Sequence, residues 1–241
     1  MKADPAAQRR LLDLAEADAE LNRVAHRRRT LPELEQIGEA ERDVQTKRDE
    51  LVVAQTAFSD LDREVRRLEN EVDQVRKREQ RDRELMASGG PAKQQEELEH
   101  ELQTLARRQG VLEDEQLEVM EQREALETNV TNSREAVTDA EQRLQELQAR
   151  RDEALAEFDV AEQRYRADRD RVVESVPADL VKIYERVREQ RGVGAGLLQG
   201  ARCGACRIEL DRTALNDVRE SAADDVVRCE ECGAILVRDK Q

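Results

Sequence analysis

The sequence predicts a mainly α-helical protein, a long antiparallel coiled-coil hairpin followed by a small C-terminal β module. Three observations lead there. Charged residues make up 40% of the 241 positions and aromatic residues 2%, with no tryptophan, a composition of long solvated helices. Apolar residues recur at alternating three- and four-residue steps over most of residues 37–172. All four cysteines lie within residues 203–232.

Residues 5–30 read as a first helix, with Leu11, Leu14, Leu21 and Val24 near one face. Leu31-Pro32 breaks it, because Pro32 has no N–H to donate and biases Leu31 away from helix. Proline is acceptable as the first residue of the next helix. That helix carries a heptad seam at Ile37, Ala40, Val44, Lys47, Leu51, Ala54, Phe58, Leu61, Val65, Leu68, Val72 and Val75, with Lys47 its one polar member. Ser88-Gly89-Gly90-Pro91 ends it.

A second seam runs without a register shift through Leu98, Leu102, Leu105, Gln109, Leu112, Gln116, Val119, Arg123, Leu126, Val130, Ser133, Val137, Ala140, Leu144, Leu147, Arg151, Ala154, Phe158, Ala161, Tyr165, Asp168 and Val172. One short loop between two long seams gives an antiparallel hairpin. With Gly89-Gly90 as pivot, Leu51 faces roughly Leu126, Ile37 roughly Leu144, and Leu11 falls near Asp168. An arm of ~80 residues is about 120 Å long at the rise of an α-helix. Ser175-Val176-Pro177 ends the second arm, and a short helix from Ala178 to about Gln190 shows Leu180, Ile183, Tyr184 and Val187 on one face, to dock on the coil base or the module beyond. The expected organisation is a hairpin over 1–176 with its tip near 87–93, a linking helix over 177–191, and a cysteine module over 192–241. Gly192, Gly194 and Gly196 enter that module and are expected to allow some movement.

The cysteines form two pairs, Cys203-Gly-Ala-Cys206 and Cys229-Glu-Glu-Cys232. A C-x₂-C pair aims two thiolates at one point from a tight turn. Two such turns supply four soft ligands, which suits one tetrahedral zinc. Four cysteines also make a closed, structural site with no open position for a catalytic water. The module has few large apolar residues, so metal binding can supply its folding free energy. A disulfide reading needs an export signal, and a redox reading needs a thioredoxin-like unit; neither is apparent. His26 and His100 stand isolated on charged helical surfaces. Gly233 follows the second pair where a left-handed residue is commonly needed, whereas Arg207 follows the first, a less regular turn. Strands are expected around Val193–Leu197, Ile208–Leu210, Val226–Val227 and Ile235–Val237, which together make a zinc ribbon. The insert Thr213–Arg219 fits one or two helical turns, capped by Asp211 or Thr213.

The formal net charge is −15, unevenly spread: residues 1–176 hold 30 Lys/Arg against 44 Asp/Glu, and residues 177–241 hold 11 against 12. Arg202, Arg207, Arg212, Arg228 and Arg238 are the ribbon's candidate phosphate contacts. Around the hairpin tip, Arg76-Lys77-Arg78, Arg81, Arg83, Lys93, Arg107 and Arg108 form a second near-neutral region on an acidic stalk. No phosphate-binding loop, activated nucleophile or open metal site is recognisable, which points away from an enzyme and from a small-molecule substrate. The absence of a signal-like apolar run or a membrane-length apolar stretch leads to a cytoplasmic expectation with no membrane partner.

The ribbon residues Cys203-Gly-Ala-Cys206-Arg-Ile and Cys229-Glu-Glu-Cys232-Gly, with Ile235-Leu236-Val237, resemble the C4-type zinc-ribbon family of bacterial proteins with an N-terminal coiled-coil hairpin. The likeness extends to Thr30-Leu31-Pro32-Glu33, Ser88-Gly89, Leu112-Glu113-Asp114 through Val119-Met120-Glu121, and Ile183-Tyr184-Glu185-Arg186. Ala234 and Val237 depart from the larger basic and aromatic residues of that pattern. The resemblance implies a non-enzymatic zinc-stabilised adaptor that recognises a protein partner, RNA or DNA, in transcription or RNA metabolism. The alternative is an RNA polymerase-binding regulator acting through its coiled-coil tip. There, Asp82, Glu84, Glu96 and Glu97 are set back along the arms.

Overall fold

The computed structural model describes residues 1–238. Four helices, α1 Pro5–Arg29, α2 Pro32–Ala87, α3 Ala92–Ser175 and α4 Ala178–Arg191, precede β1 Ala195–Gln199, β2 Arg202–Cys203, α5 Arg212–Glu220 and β3 Ile235–Val237. The architecture is thus mainly helical with a small C-terminal sheet. Local chemistry sets the boundaries. Asp4 caps α1 by accepting from the Ala6 N–H at 2.7 Å, and Pro5 occupies the first helical turn. Thr30 closes α1 with both its N–H and hydroxyl on the His26 carbonyl. Ser88–Pro91 separates α2 from α3, with Gly89 in the left-handed region at φ 78°. Every seam position named above on α2 and α3 is buried or half-buried, Lys47 and the polar members of the second seam included.

Contacts divide the chain into two compact units, Glu35–Gln148 and, separately, Met1–Leu34 with the chain from Ala149 onward. In the first, α2 and α3 run antiparallel around Leu68, Val72 and Leu112, with Val75 and Val119 against them. Ion pairs cross the seam at Arg48–Glu141, 2.5 Å, Arg76–Glu113, 2.6 Å, and Arg123–Asp62, 2.9 Å. The Arg123 guanidinium also lies 4.8 Å from the Phe58 ring centroid. The arginine in the second seam is therefore held by a carboxylate and an aromatic face. The pairing differs from a simple fold about Gly89-Gly90. Val44, one heptad after Ile37, shares a groove with Leu144. Nearer the loop, Arg78–Glu101 and Arg108–Glu71 keep the register expected about Gly89-Gly90, so the loop itself does not set the offset.

In the second unit, α1 packs on the C-terminal part of α3 through Val24, Leu31 and Phe158. At the base, Leu11 and Leu14 of α1 join Val176, Leu180 and Tyr184 with Ala195, Ile235 and Val237 of the sheet in one buried cluster. The apolar face of α4 thus docks on the coil base and the ribbon together. The sheet order is β2-β1-β3, with β1 antiparallel to β2 and parallel to β3.

Two expectations need correction. Ile208–Leu210 and Val226–Val227 do not form strands; the region keeps only the single bridges Arg202↔Glu209, Arg228↔Ile235 and Lys2↔Asp225. The cysteine turns consume the neighbouring backbone groups, and Asp211 already begins capping α5. Near Val226 the N-terminal residues supply the pairing, with Ala3 N–H donating to Asp224 O at 2.7 Å and Val226 N–H to Met1 O at 3.0 Å. Nor are Gly194 and Gly196 mobile spacers. A Cβ on Gly194 would lie 2.5 Å from the Tyr184 ring, and one on Gly196 would lie 2.4 Å from Ala205 N. Their lack of a side chain permits close packing, not movement.

Candidate metal centre

The two cysteine turns share one backbone design. In the first, Cys203 N–H donates to Ile208 O at 3.0 Å and Arg207 N–H to Cys203 O at 2.8 Å. In the second, Cys229 N–H donates to Ala234 O and Gly233 N–H to Cys229 O, both at 2.8 Å. The residue after each pair is left-handed: Arg207 has φ 63° and Gly233 φ 74°. The first turn is therefore as regular as the second in its backbone, and Arg207 bears the steric cost that glycine avoids. Gly204 is also required, since a Cβ there would sit 2.5 Å from Leu197 O.

These turns bring the thiols of Cys203, Cys206, Cys229 and Cys232 within 4.8 Å of one another. Cys203 Sγ lies 3.9 Å from Cys232 Sγ, and Cys206 Sγ 3.9 Å from Cys229 Sγ. A tetrahedron with Zn–S bonds of ~2.3 Å has sulfur–sulfur edges of about 3.8 Å, so the donor set fits a single zinc in both chemistry and size. The separations are far beyond a disulfide bond, and all four cysteines are free. Cys203 and Cys229 are buried and Cys206 and Cys232 half-buried, flanked by Val218, Leu236, Leu198, Leu210 and Val227. Burial pushes the Cys203 thiol up and the Cys232 thiol up to about 12. A bound cation would hold the same sulfurs as thiolates. His26 and His100 are exposed on their helices and join no such cluster among the described residues.

The arginines are used in different ways. Arg202, Arg207, Arg212 and Arg228 are exposed. Arg228 Nε donates to Gly233 O at 2.9 Å, tying it across the second turn. Arg238 departs from the expected phosphate-contact role. Its guanidinium donates to the carbonyls of Val218, Ser221, Ala222, Ala223 and Asp225 at 2.7–3.3 Å, and so clamps the end of α5 and the following loop. At the tip, Arg76, Lys77, Arg78, Arg83 and Arg108 are paired with Glu113, Asp73, Glu101, Glu79 and Glu71. That basic cluster is therefore largely internally neutralised.

Sequence reasoning missed a buried polar network beside the ribbon. Asp18, 4% exposed, accepts from Tyr184 Oη at 2.7 Å, Arg169 Nε at 2.8 Å and an Arg188 guanidinium nitrogen at 3.3 Å. Glu185 pairs with the same two arginines. The network joins α1, α3 and α4 under the sheet. Its one sequence signal was Asp18 itself, standing between Leu14 and Leu21 on the apolar face of α1.

Comparison with known proteins agrees with this arrangement. Residues 14–192 match the CT398-like coiled coil hairpin domain and residues 202–236 the C4-type zinc ribbon domain. The Mycobacterium tuberculosis protein Rv2229c is 46% identical over 239 residues, covering 99% of this chain and 98% of its own length. A solved structure from Mycobacterium smegmatis is 46% identical with a TM-score of 0.88, over 99% of this chain and 100% of that one. The structure of CT398 from Chlamydia trachomatis, at 16% identity and a TM-score of 0.65 over 97% of this chain and 98% of that one, shares the fold.

Proposed function

This chain belongs to the family of CT398-like coiled-coil hairpin proteins with a C4-type zinc ribbon, and from that premise we propose that it is a non-catalytic, zinc-stabilised adaptor that recognises a protein or nucleic-acid partner. The observation that carries this reading is the closed set of four thiols. An all-sulfur tetrahedron leaves no exchangeable position for substrate or water, so its metal maintains a shape. A shape maintained by metal, with exposed arginines on its turns, is suited to recognition. Zinc ribbons on other folds serve transcription and translation, and a role in transcription or RNA metabolism in the cytoplasm is the corresponding proposal here. No helix among the described residues is long and apolar enough to cross a membrane. The ribbon is preferred to the coil tip as the recognition end because the tip's cations are mostly paired with carboxylates of their own coil.

The test uses the full zinc-loaded chain with labelled RNA and single-stranded DNA across a salt series. Binding through phosphates weakens as salt rises, and the slope falls when Arg202, Arg207 and Arg212 are together replaced by alanine. Arg238 is left in place because its N–H groups already serve the backbone. Absence of binding at low salt eliminates the nucleic-acid branch. The remaining protein branch then requires a nuclease-resistant partner that co-purifies from the native cell and is lost in the same triple variant.

A further inference from the structure

Midway along the first unit, both arms of the hairpin lose their charges together. Residues 51–59, Leu-Val-Val-Ala-Gln-Thr-Ala-Phe-Ser, are the longest run without a charged side chain in α2, and residues 128–133, Thr-Asn-Val-Thr-Asn-Ser, the longest in α3. The cross-arm ion pairs Arg48–Glu141 and Arg123–Asp62 bracket the two runs and set them at one level of the coil. Packing does not require these residue types. Val52, Val53, Thr56 and Ser59 on α2 are exposed, Val53 to 69%, and so are Thr128, Asn129, Thr131 and Asn132 on α3. Elsewhere the exposed positions of both helices are dominated by Glu, Arg and Gln, which are better helix formers and interact one turn apart. Valine and threonine lose rotamer freedom in a helix, and Thr, Ser and Asn compete for the backbone. That competition is visible here. The hydroxyls of Thr56, Ser59, Thr128 and Thr131 donate to the carbonyls of Val52, Gln55, Glu124 and Glu127 at 2.8–3.2 Å. Such bonds weaken and bend helices. The seam is thin at the same level: Val130 is buried, but Leu51, Ala54, Phe58 and Ser133 are half-buried. Gly110, the one glycine of α3, lies instead beside Leu112 and its cluster with Leu68 and Val72, where the unit is deeply buried.

We propose that residues 51–59 and 128–133 form a joint at which the coiled coil bends, so that the part of the first unit nearer the loop swings against the rest of that unit. The inference is independent of which end of the chain recognises a partner. A weak run on one arm alone would be splinted by a strong helix opposite. Here the two runs coincide, so neither arm braces the other. No ion pair crosses between them, because neither holds a charge. Bending lengthens a few backbone hydrogen bonds on the solvent side of a helix, and there the carbonyls already accept from hydroxyls as well. The arms stay together during the motion, because Leu51, Ala54, Phe58, Leu126 and Val130 keep the heptad spacing through the joint.

The experiment follows the full zinc-loaded chain in two ways. Amide hydrogen exchange reads local opening. Pulsed electron paramagnetic resonance reads the distance between two nitroxides on α2, carried by non-canonical residues in place of the exposed Asp43 and Glu69, so that the cysteines stay unlabelled. These positions stand on either side of the joint, about 39 Å apart at the rise of an α-helix. The test variant combines Val52→Ala, Val53→Ala, Thr56→Ala and Ser59→Ala with Thr128→Ala, Asn129→Ala, Thr131→Ala and Asn132→Ala. The control variant combines Thr46→Ala and Thr104→Ala, which remove the same kind of hydroxyl bond outside the joint. Alanine is the best helix former, so both variants keep the coil. In the native chain the two runs should be at least about tenfold less protected than residues 62–75 and 108–119, and the distance distribution should be broad. The test variant should gain at least about tenfold in protection there and narrow the distribution, with the control variant unchanged in both. The proposal is overturned if the runs are as protected as their flanks, if the eight substitutions leave the distribution's width unchanged, or if the control variant narrows it as much. Rapid exchange with a narrow distribution in the native chain is opening without bending, and overturns it too.

Discussion

Arg207 and Gly233 occupy equivalent places after the two cysteine pairs, and both donate their N–H to the first cysteine of the pair. Only one of them is suited by covalent structure to a positive φ. A non-glycine residue there retains a Cβ clash with its own backbone, and folding of the first turn must overcome it. Replacing Arg207 by glycine should therefore stabilise the zinc-loaded ribbon by about 0.5–1 kcal/mol, part of the relief being offset by the greater freedom of glycine in the unfolded chain. A rise in the thermal midpoint of the full chain, at fixed zinc, checks this; a fall would mean that the arginine side chain contributes more than its backbone costs.

At the level of elements, α4 is locked to α1 by the hydrogen bond from Tyr184 to Asp18 and by two arginines shared with Glu185. Burial, and then the hydrogen bond to Asp18, push the Tyr184 hydroxyl far above its ordinary value. A raised folded value means that the native state keeps a proton the unfolded chain gives up above about pH 10. The contribution is complete below that pH and is lost as pH rises further. Thermal midpoints measured between about pH 8 and 11 should fall in the alkaline range, and Tyr184→Phe should flatten that fall while costing about 1.5–3 kcal/mol at neutral pH through the lost bond to a buried carboxylate. An unchanged alkaline slope in the variant would assign the effect to other groups. The same comparison shows what a sequence can convey. Helices, their breaks and both seams were legible because periodicity, proline and glycine are local signals. So were the cysteine pairs and the Asp211 cap, which accepts from Ala214 N–H at 2.8 Å. The Asp18 network, the clamp by Arg238 and the pairing of Met1–Ala3 with residues 224–226 join positions far apart in the chain, and no local pattern encodes them. The two missing strands failed for a related reason: Ile208 O accepts inside the first cysteine turn, whereas Val226 N–H donates to Met1 O, from the far end of the chain.

For the molecule as a whole, the question is how far loss of metal propagates. If the ribbon were an independent appendage, removing zinc would unfold residues beyond 192 and nothing else. The core contradicts that picture, because Ile235 and Val237 of β3 are buried with Leu11, Leu14, Leu180 and Tyr184. Leu236, between them, faces the opposite way into the cluster that surrounds the thiols. One short strand thus couples the metal site to the base of the helices through alternate side chains. Chelation, or Cys206→Ser, should therefore raise hydrogen exchange in residues 1–17 and in α4 as well as in the ribbon. It should leave the segment Glu35–Gln148 protected, since that unit has its own seam around Leu68, Val72 and Leu112. Helical circular dichroism should drop only modestly, because α2 and most of α3 persist. Acid should promote the release, as protons compete with the metal for the four thiolates. Exchange confined to residues beyond 192 would restore the independent appendage, and exchange spreading through 35–148 would mean that the coil depends on the metal for its stability.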